Sequence, residues 1–459
     1  ARYARRVTHK ELTVLTVYTW FLRLLFPLVL LRLLWRGFSN SHYWQRIPER
    51  FGFIAMHRDV QAPSGEANTA LSRAQDAQER PAPRLIWIHA VSVGEVRATM
   101  PLVQTIMGSY PDYSLLITTM TPTGSAQVTQ LFGDKVAHCY VPYDYPAAVR
   151  RFLDRINPVI AIIMETELWP NIFHECRARG IPVFVTNVRM SESSMHKYLR
   201  FARLARATLN QASLFAAQSQ VDAQRLLTLG AEPARVQVTG SIKFELGVSA
   251  SLREAAEVLR RAWGQDRPVW LAASTHEGEE EMVLAAQTEL RKQPRCANLV
   301  LVLVPRHPER FAPVAKLCRK SGFTTALRSE NRGAIDAAVE VLVGDTMGEL
   351  QLFFGAADVA FIGGSLVPTG GHNLLEAAAM GKPAIFGPHM FNFQEISQMA
   401  LERGAAVQIP SGAQLAPAAG DFLGNANRRD RAGEAGRKMV EENRGALAAN
   451  IRLIEQFIK

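Results

Sequence analysis

From Leu85 onward the chain alternates short, continuous apolar runs with helix-length amphipathic segments, and this beat constrains the fold more than any other feature. The runs "LIWIHA", "YSLLITTM", "KVAHCYVPYD", "PVIAIIMETE", "IPVFVTNV", "SLFAAQS" and "RVQVTG" are apolar at successive rather than alternate positions. A strand of that kind is covered on both faces, which is the condition of a parallel sheet flanked by helices. The beat pauses at "GSIKFELGVSASLREAAEVLRRAWGQDRP", then resumes with "PVWLAAST", "NLVLVLVPRHP", "AAVEVLVGD", "DVAFIGGS", "KPAIFGP" and "AAVQIP". At 459 residues the chain exceeds one ordinary core, so two doubly wound α/β domains in series are expected. The pattern divides into a first domain over 37–240, a linker over 241–266 and a second domain over 267–459. Ligands bind beyond the carboxyl ends of such strands, and two domains facing each other predict a cleft.

The N-terminus departs from this pattern. "LTVLTVYTWFLRLLFPLVLLRLLW", Leu12 to Trp35, is almost wholly apolar yet holds Arg23, Pro27 and Arg32. No small-residue cleavage site follows, which argues against a signal peptide. Residues 1–36 read as a membrane anchor, either spanning or lying in the interface with its arginines reaching toward phosphates. Arg2, Arg5, Arg6 and Lys10 precede it and Arg36, Arg46 and Arg50 follow it, so flanking charge gives no orientation. Residues 57–83, rich in Ala, Gln and Ser, read as a surface loop. A formal charge of +10 favours anionic partners. Cys139, Cys176, Cys296 and Cys318 are scattered without metal-ligand spacing and read as reduced thiols.

The loops after strands carry the residues with chemistry. "HAVSVGE" offers Glu95, "METELWPN" offers Glu165 and Glu167, and "GSIKFE" offers Lys243. In the second half, "VPRHPER" offers Pro305, Arg306, His307 and Arg310, and "GDTMGEL" offers Met347, Gly348 and Glu349. "GGSLVPTGGHNLLEAAAMGKP" runs from a glycine loop into a predicted helix that begins at Asn373 and ends at Gly381. A helix start attracts phosphate. Singly these signals are weak. Glu95 is explained by helix-dipole preference, Asn373 and Glu376 by capping-box spacing, and the glycines fit neither nucleotide-binding fingerprint. Paired carboxylates at a buried strand end are harder to dismiss, because unpartnered buried charge costs several kcal/mol.

Taken together and in this order, "HAVSVGE", "METELWPN", "NVRMS", "GSIKFE", "PRHPER", "GDTMGEL" and "GGHNLLEAAAMGKP" resemble the Kdo transferases of lipopolysaccharide assembly. These enzymes move Kdo, an acidic eight-carbon sugar, from CMP-Kdo to the lipid A precursor, lipid IVA. The resemblance spans the chain from about the anchor to the C-terminus. It implies a GT-B fold, attachment to the cytoplasmic face of the inner membrane, inversion at the anomeric carbon, and no metal, cofactor or nucleic acid. By the same resemblance Glu95 is the general base, while Glu165 and Lys243 stabilise the transition state. CMP is held by Pro305 and Arg306, by Met347, Gly348 and Glu349, and by Asn373, Leu374, Leu375 and Glu376. Ala90, where the family more often has serine, and the polar stretch over 57–83 depart from the pattern. Two rival readings stay open: a UDP-sugar transferase or epimerase of the same architecture, and a membrane-tethered nucleic-acid-binding protein. Interleaved basic and aromatic residues would favour the second, and none are evident.

Overall fold

The computed structural model describes residues 9–39, 41–54, 84–245 and 248–458. The 57–83 stretch and Arg2, Arg5 and Arg6 lie outside the described residues. The chain forms two compact units, residues 1–245 with 444–459, and residues 246–443.

In the first unit the seven apolar runs become seven parallel strands: β1 (Arg84–His89), β2 (Tyr113–Thr119), β3 (Ala137–Tyr140), β4 (Ile160–Met164), β5 (Val183–Val188), β6 (Leu214–Ala217) and β7 (Val236–Val238). Their order across the sheet is β3-β2-β1-β4-β5-β6-β7, so the connection direction reverses between β1 and β4. One face of the sheet packs Trp87, Phe152, Phe173 and Phe215. The other packs Ile86, Ile160, Ile162 and Phe184 together with Ile451 and Ile454 from the C-terminal helix Ala446–Ile454. This last contact corrects the sequence division, which ran the second domain to residue 459. The final helix buries its apolar face against the first sheet; burying each such isoleucine contributes about 1.5–3 kcal/mol. Asn450, fully buried on this helix, accepts a hydrogen bond from Thr186 at 2.5 Å and donates to Thr239 at 3.2 Å, which fixes the docking.

The second unit holds β8 (Val269–Thr275), β9 (Val300–Pro305), β10 (Thr325–Leu327), β11 (Val341–Val343), β12 (Val359–Ile362), β13 (Ala384–Phe386) and β14 (Ala406–Gln408). They pair in parallel in the order β10-β11-β9-β8-β12-β13-β14, with the reversal between β8 and β12. The sequence pattern supplies six of these strands and misses β10. That strand is three residues long, sits at the sheet edge and is only half-buried, so it lacks the apolar run that marks the others. Among its described residues, the 241–266 stretch forms a 3-10 turn, Ile242–Phe244, and a helix, Ala250–Trp263.

The N-terminal helix runs from His9 to Ser39, and Thr13–Phe38 is long and apolar enough to cross a membrane. It has two apolar faces. Leu15 and Leu33 are buried against the first unit. On the same side Tyr18 donates to Asp144 at 3.0 Å, Thr19 to Asn171 at 3.1 Å, and Tyr145 to the Leu22 carbonyl at 3.0 Å. About half a turn away, Trp20, Leu24, Leu28, Leu31, Trp35 and Phe38 form an exposed stripe at spacings of three and four residues, one continuous helix face. Arg23 lies over the Trp20 ring at 5.0 Å.

Candidate active site

Three carboxylates of the first unit, Glu95, Glu165 and Glu167, gather after β1 and β4, the two strands at the reversal of its sheet. β1 runs into Ser92, the N-cap of the helix Val93–Ser109. The Ser92 hydroxyl accepts from the Glu95 N–H at 3.3 Å and donates to Glu95 Oε1 at 3.0 Å, while the Val91 N–H donates to Oε2 at 2.7 Å. This is a variant of the capping box in which the carboxylate takes the Val91 N–H and the Ser92 hydroxyl rather than the Ser92 N–H, so the helix-start explanation of Glu95 is realised. It does not account for the residue's surroundings. Glu95 is only 8% exposed, and burial lifts its carboxyl to about 8, with Glu165 and, to a smaller degree, Glu167 pushing the same way. Capping alone places a carboxylate in solvent; here it sits beside two others.

Glu165 follows β4 in the left-handed region, φ 56, a conformation costing on the order of 1–2 kcal/mol for a residue with a side chain. Its N–H donates to the Thr186 carbonyl at 2.9 Å, and its carboxylate accepts from Lys243 Nζ at 3.0 Å. Burial raises Glu167 to about 7, and Glu165 adds to the rise. Lys243 reaches this point because the segment before it is pinned: Asn187 Oδ1 accepts from the Ser241 hydroxyl and the Ile242 N–H, each at 3.2 Å. Asn187 also has a positive φ, 54, and leaves β5 beside Glu165, since Met164 and Thr186 are register partners. The structure therefore brings Glu95, Glu165 and Lys243 together. Ser92 and Asn187 are the supporting residues that sequence reasoning missed, although Asn187 opens the quoted "NVRMS" motif.

In the second unit, Pro305 closes β9 and the Arg306 N–H donates to the Thr275 carbonyl at 3.0 Å. Burial raises the Glu376 carboxyl, opposed by Asn373 and by the nearby Arg306 charge, so Arg306 shares one environment with the Asn373–Glu376 segment, which lies far from it in sequence. The helix here departs from the sequence reading. It spans only Leu375–Ala379, and Asn373 Oδ1 already accepts the Leu375 N–H at 3.1 Å. A five-residue helix has little dipole and its first amide is occupied, so a phosphate at its start loses its physical argument; Arg306 is the better counter-charge. Leu374 and Leu375 are 1% exposed and turn into the core, leaving only backbone for a ligand. After β11, Met347 is exposed, Gly348 has φ 82, and the Glu349 carboxylate is gripped by Arg328 at 2.7 and 3.1 Å. That grip holds the Glu349 carboxyl below its ordinary value.

Comparison with known proteins accords with this layout. The family described as 3-deoxy-D-manno-octulosonic-acid transferase (kdotransferase) matches residues 45–246. The chain is 40% identical over 444 residues, 96% of its length and 98% of the relative's, to the 3-deoxy-D-manno-octulosonic acid transferase of Haemophilus influenzae. Among solved structures it is similar to the C-terminal CMP-Kdo binding domain of WaaA from Acinetobacter baumannii, at 33% identity over 41% of this chain and 98% of that one, with a TM-score of 0.39. It is also similar in fold to Anabaena Alr3699/HepE in complex with UDP, at 13% identity over 81% of this chain and 99% of that one, with a TM-score of 0.50. Its two doubly wound units are of the GT-B class, and the chain belongs to the 3-deoxy-D-manno-octulosonic acid (Kdo) transferase family of glycosyltransferases.

Proposed function

We propose that this Kdo transferase takes Kdo from CMP-Kdo and places it on a hydroxyl of the lipid A precursor, lipid IVA, with inversion at the anomeric carbon. The observation that carries the reading is Glu95: a buried carboxylate raised to about 8 beside two further carboxylates at the sheet reversal. A base is most effective when its pKa lies near the working pH. The acceptor oxygen attacks the anomeric carbon as Glu95 takes the hydroxyl proton. The bond from that carbon to the phosphate oxygen breaks, and CMP leaves with the electron pair. Positive charge on the sugar ring is met by Glu165, and negative charge on the departing phosphate by Lys243. The strained backbone of Glu165 and its ion pair with Lys243 support preorganised roles for both.

CMP binding falls to the second unit, through Pro305, Arg306, Met347, Gly348, Glu349 and Asn373 to Glu376. Glu376 accepts ribose hydroxyls and Arg306 meets the phosphate. The anchor lies on the cytoplasmic side of the inner membrane, as the family resemblance implies, and the docked inner face of the N-terminal helix supports interfacial attachment, with the Trp20–Phe38 stripe immersed. Titration with CMP and with UDP separates this from a UDP-sugar enzyme: tight UDP binding with none for CMP would overturn it.

A further inference from the structure

The loop after β12 ends in the proposed CMP residues, and something must hold it there. Glu279 opens the helix Glu279–Arg291 and is fully buried. Its Oε2 accepts from the Gly364 N–H at 2.7 Å and the His276 N–H at 3.0 Å. Its Oε1 accepts from the Ser365 and Leu366 N–H groups at 3.1 and 3.0 Å. Three successive amides of the glycine loop thus converge on one carboxylate, the arrangement of a backbone nest for an anion. The anion here belongs to the protein. This nest lies at the β8/β12 reversal, where a doubly wound sheet ordinarily receives its ligand, so a phosphate cannot use these amides while Glu279 fills them.

A second contact lies close in sequence on both sides. His276 Nε2 and His372 Nε2 are 2.8 Å apart, with ring planes at 6° and centroids at 5.1 Å. The centroid separation exceeds the N···N distance by about two ring radii, so the imidazoles meet edge to edge in one plane. That geometry needs one nitrogen to donate and the other to accept. His372 directly precedes Asn373. Between the two contacts the loop folds on itself, with the Thr369 hydroxyl and the Gly371 N–H both donating to the Gly364 carbonyl at 2.9 and 2.7 Å. Gly364 has φ 68, and a Cβ there would lie 2.7 Å from Thr369 Oγ1, which leaves the loop little room to rearrange.

We propose that Glu279 is a positioning residue for donor binding: with His276 it clamps the 363–372 loop so that Asn373 and Glu376 stand beside Arg306. The inference rests on the reading of Asn373 and Glu376 as CMP-binding residues. Glu279→Gln is nearly isosteric but turns an NH2 donor toward backbone N–H groups, whereas Glu279→Asp keeps an acceptor-only group.

The experiment uses the full chain in detergent with CMP as probe. It measures affinity by calorimetry, KM for donor and for acceptor, and thermal midpoint, with Glu376→Ala as control. Glu279→Gln should weaken CMP binding and raise donor KM at least tenfold with acceptor KM little changed, while the thermal midpoint falls because buried amides lose their acceptor, and Glu279→Asp should recover part of the loss in donor KM. Wild-type binding by Glu279→Gln, while Glu376→Ala loses CMP, would overturn the clamp and leave the CMP site standing. Absence of CMP binding by the wild type, or retention by Glu376→Ala, would overturn the underlying reading and the clamp with it. If Glu279→Gln does not fold, Thr369→Val is read in its place. A severalfold loss of CMP affinity by that variant supports the clamp, and unchanged affinity overturns it.

Discussion

Replacing Glu95 by glutamine keeps the turn that Ser92 and Val91 make with it, because glutamine serves in a capping box as well as glutamate. What the substitution removes is the ionisable proton. In the folded chain burial lifts that carboxyl from 4.5 to about 8. At about 1.4 kcal/mol per tenfold change, this amounts to an upper bound of about 5 kcal/mol for ionising Glu95 in the fold. The direction follows from proton binding. Between pH 4.5 and about 8 the folded state holds the proton and the unfolded state does not, so stability falls as pH rises through this window. Below it the cost is absent; above it the cost is complete. Glu95→Gln escapes the cost, so its stability advantage over the wild type should grow by a few kcal/mol from pH 5 to pH 9 in urea unfolding. Comparing the pair isolates Glu95 from Glu167 and Asp144, which burial raises to about 7 and which titrate in the same window. The catalytic arm runs oppositely. Wild-type kcat/KM should climb with pH through about 8, and the variant should be pH-independent there and lower by about 10²–10⁴-fold, the usual worth of a general base. A wild-type profile already flat from pH 6 to 9, or a variant that keeps a substantial part of the rate, would remove Glu95 as the general base.

Three further outcomes are expected. Lys243→Met should lower transfer by about a hundredfold or more while changing stability by no more than about 1 kcal/mol, since the Lys243–Glu165 pair is partly solvated; matched kinetics and unfolding read both. Glu376→Ala should weaken CMP binding about tenfold, roughly 1.4 kcal/mol by calorimetry; unfolding of the second unit would return Glu376 to a helix-capping role. Leu24→Glu with Leu28→Glu should abolish co-sedimentation with anionic lipid vesicles and shift stability by under about 0.5 kcal/mol per site, because both side chains are exposed. Unchanged vesicle binding would remove the outer stripe from membrane attachment.

Much of the fold is legible because the core strands carry apolar residues at successive positions, a signal that needs no knowledge of partners. β10 escapes because an edge strand of three half-buried residues has no such run. The destination of the C-terminal helix escapes for a different reason: its apolar face announces burial but not which sheet it buries against. The N-terminal helix looks featureless in sequence because both of its faces are apolar, one for protein and one left exposed, and only contacts such as Tyr18–Asp144 tell them apart. Within the site, Glu95, Glu165 and Lys243 stand out through their places after strands. Asn187 and Glu279 do not, since a polar residue in a strand-end motif and the first of three glutamates at a helix start have ordinary explanations. Their work lies in backbone groups far along the chain, which no local pattern encodes. The start of the helix at Leu375 rather than Asn373 has the same origin: the Asn373 side chain caps the backbone two residues on.

The most direct measurement is mass spectrometry of the lipid after incubating the full chain with CMP-Kdo and lipid IVA, with CMP release followed in the same sample. Lipid heavier by whole Kdo residues is expected, with one CMP released for each and neither product from the Glu95→Gln variant on the same timescale. Lipid of unchanged mass with active protein present, or equal product from the variant, would contradict this expectation.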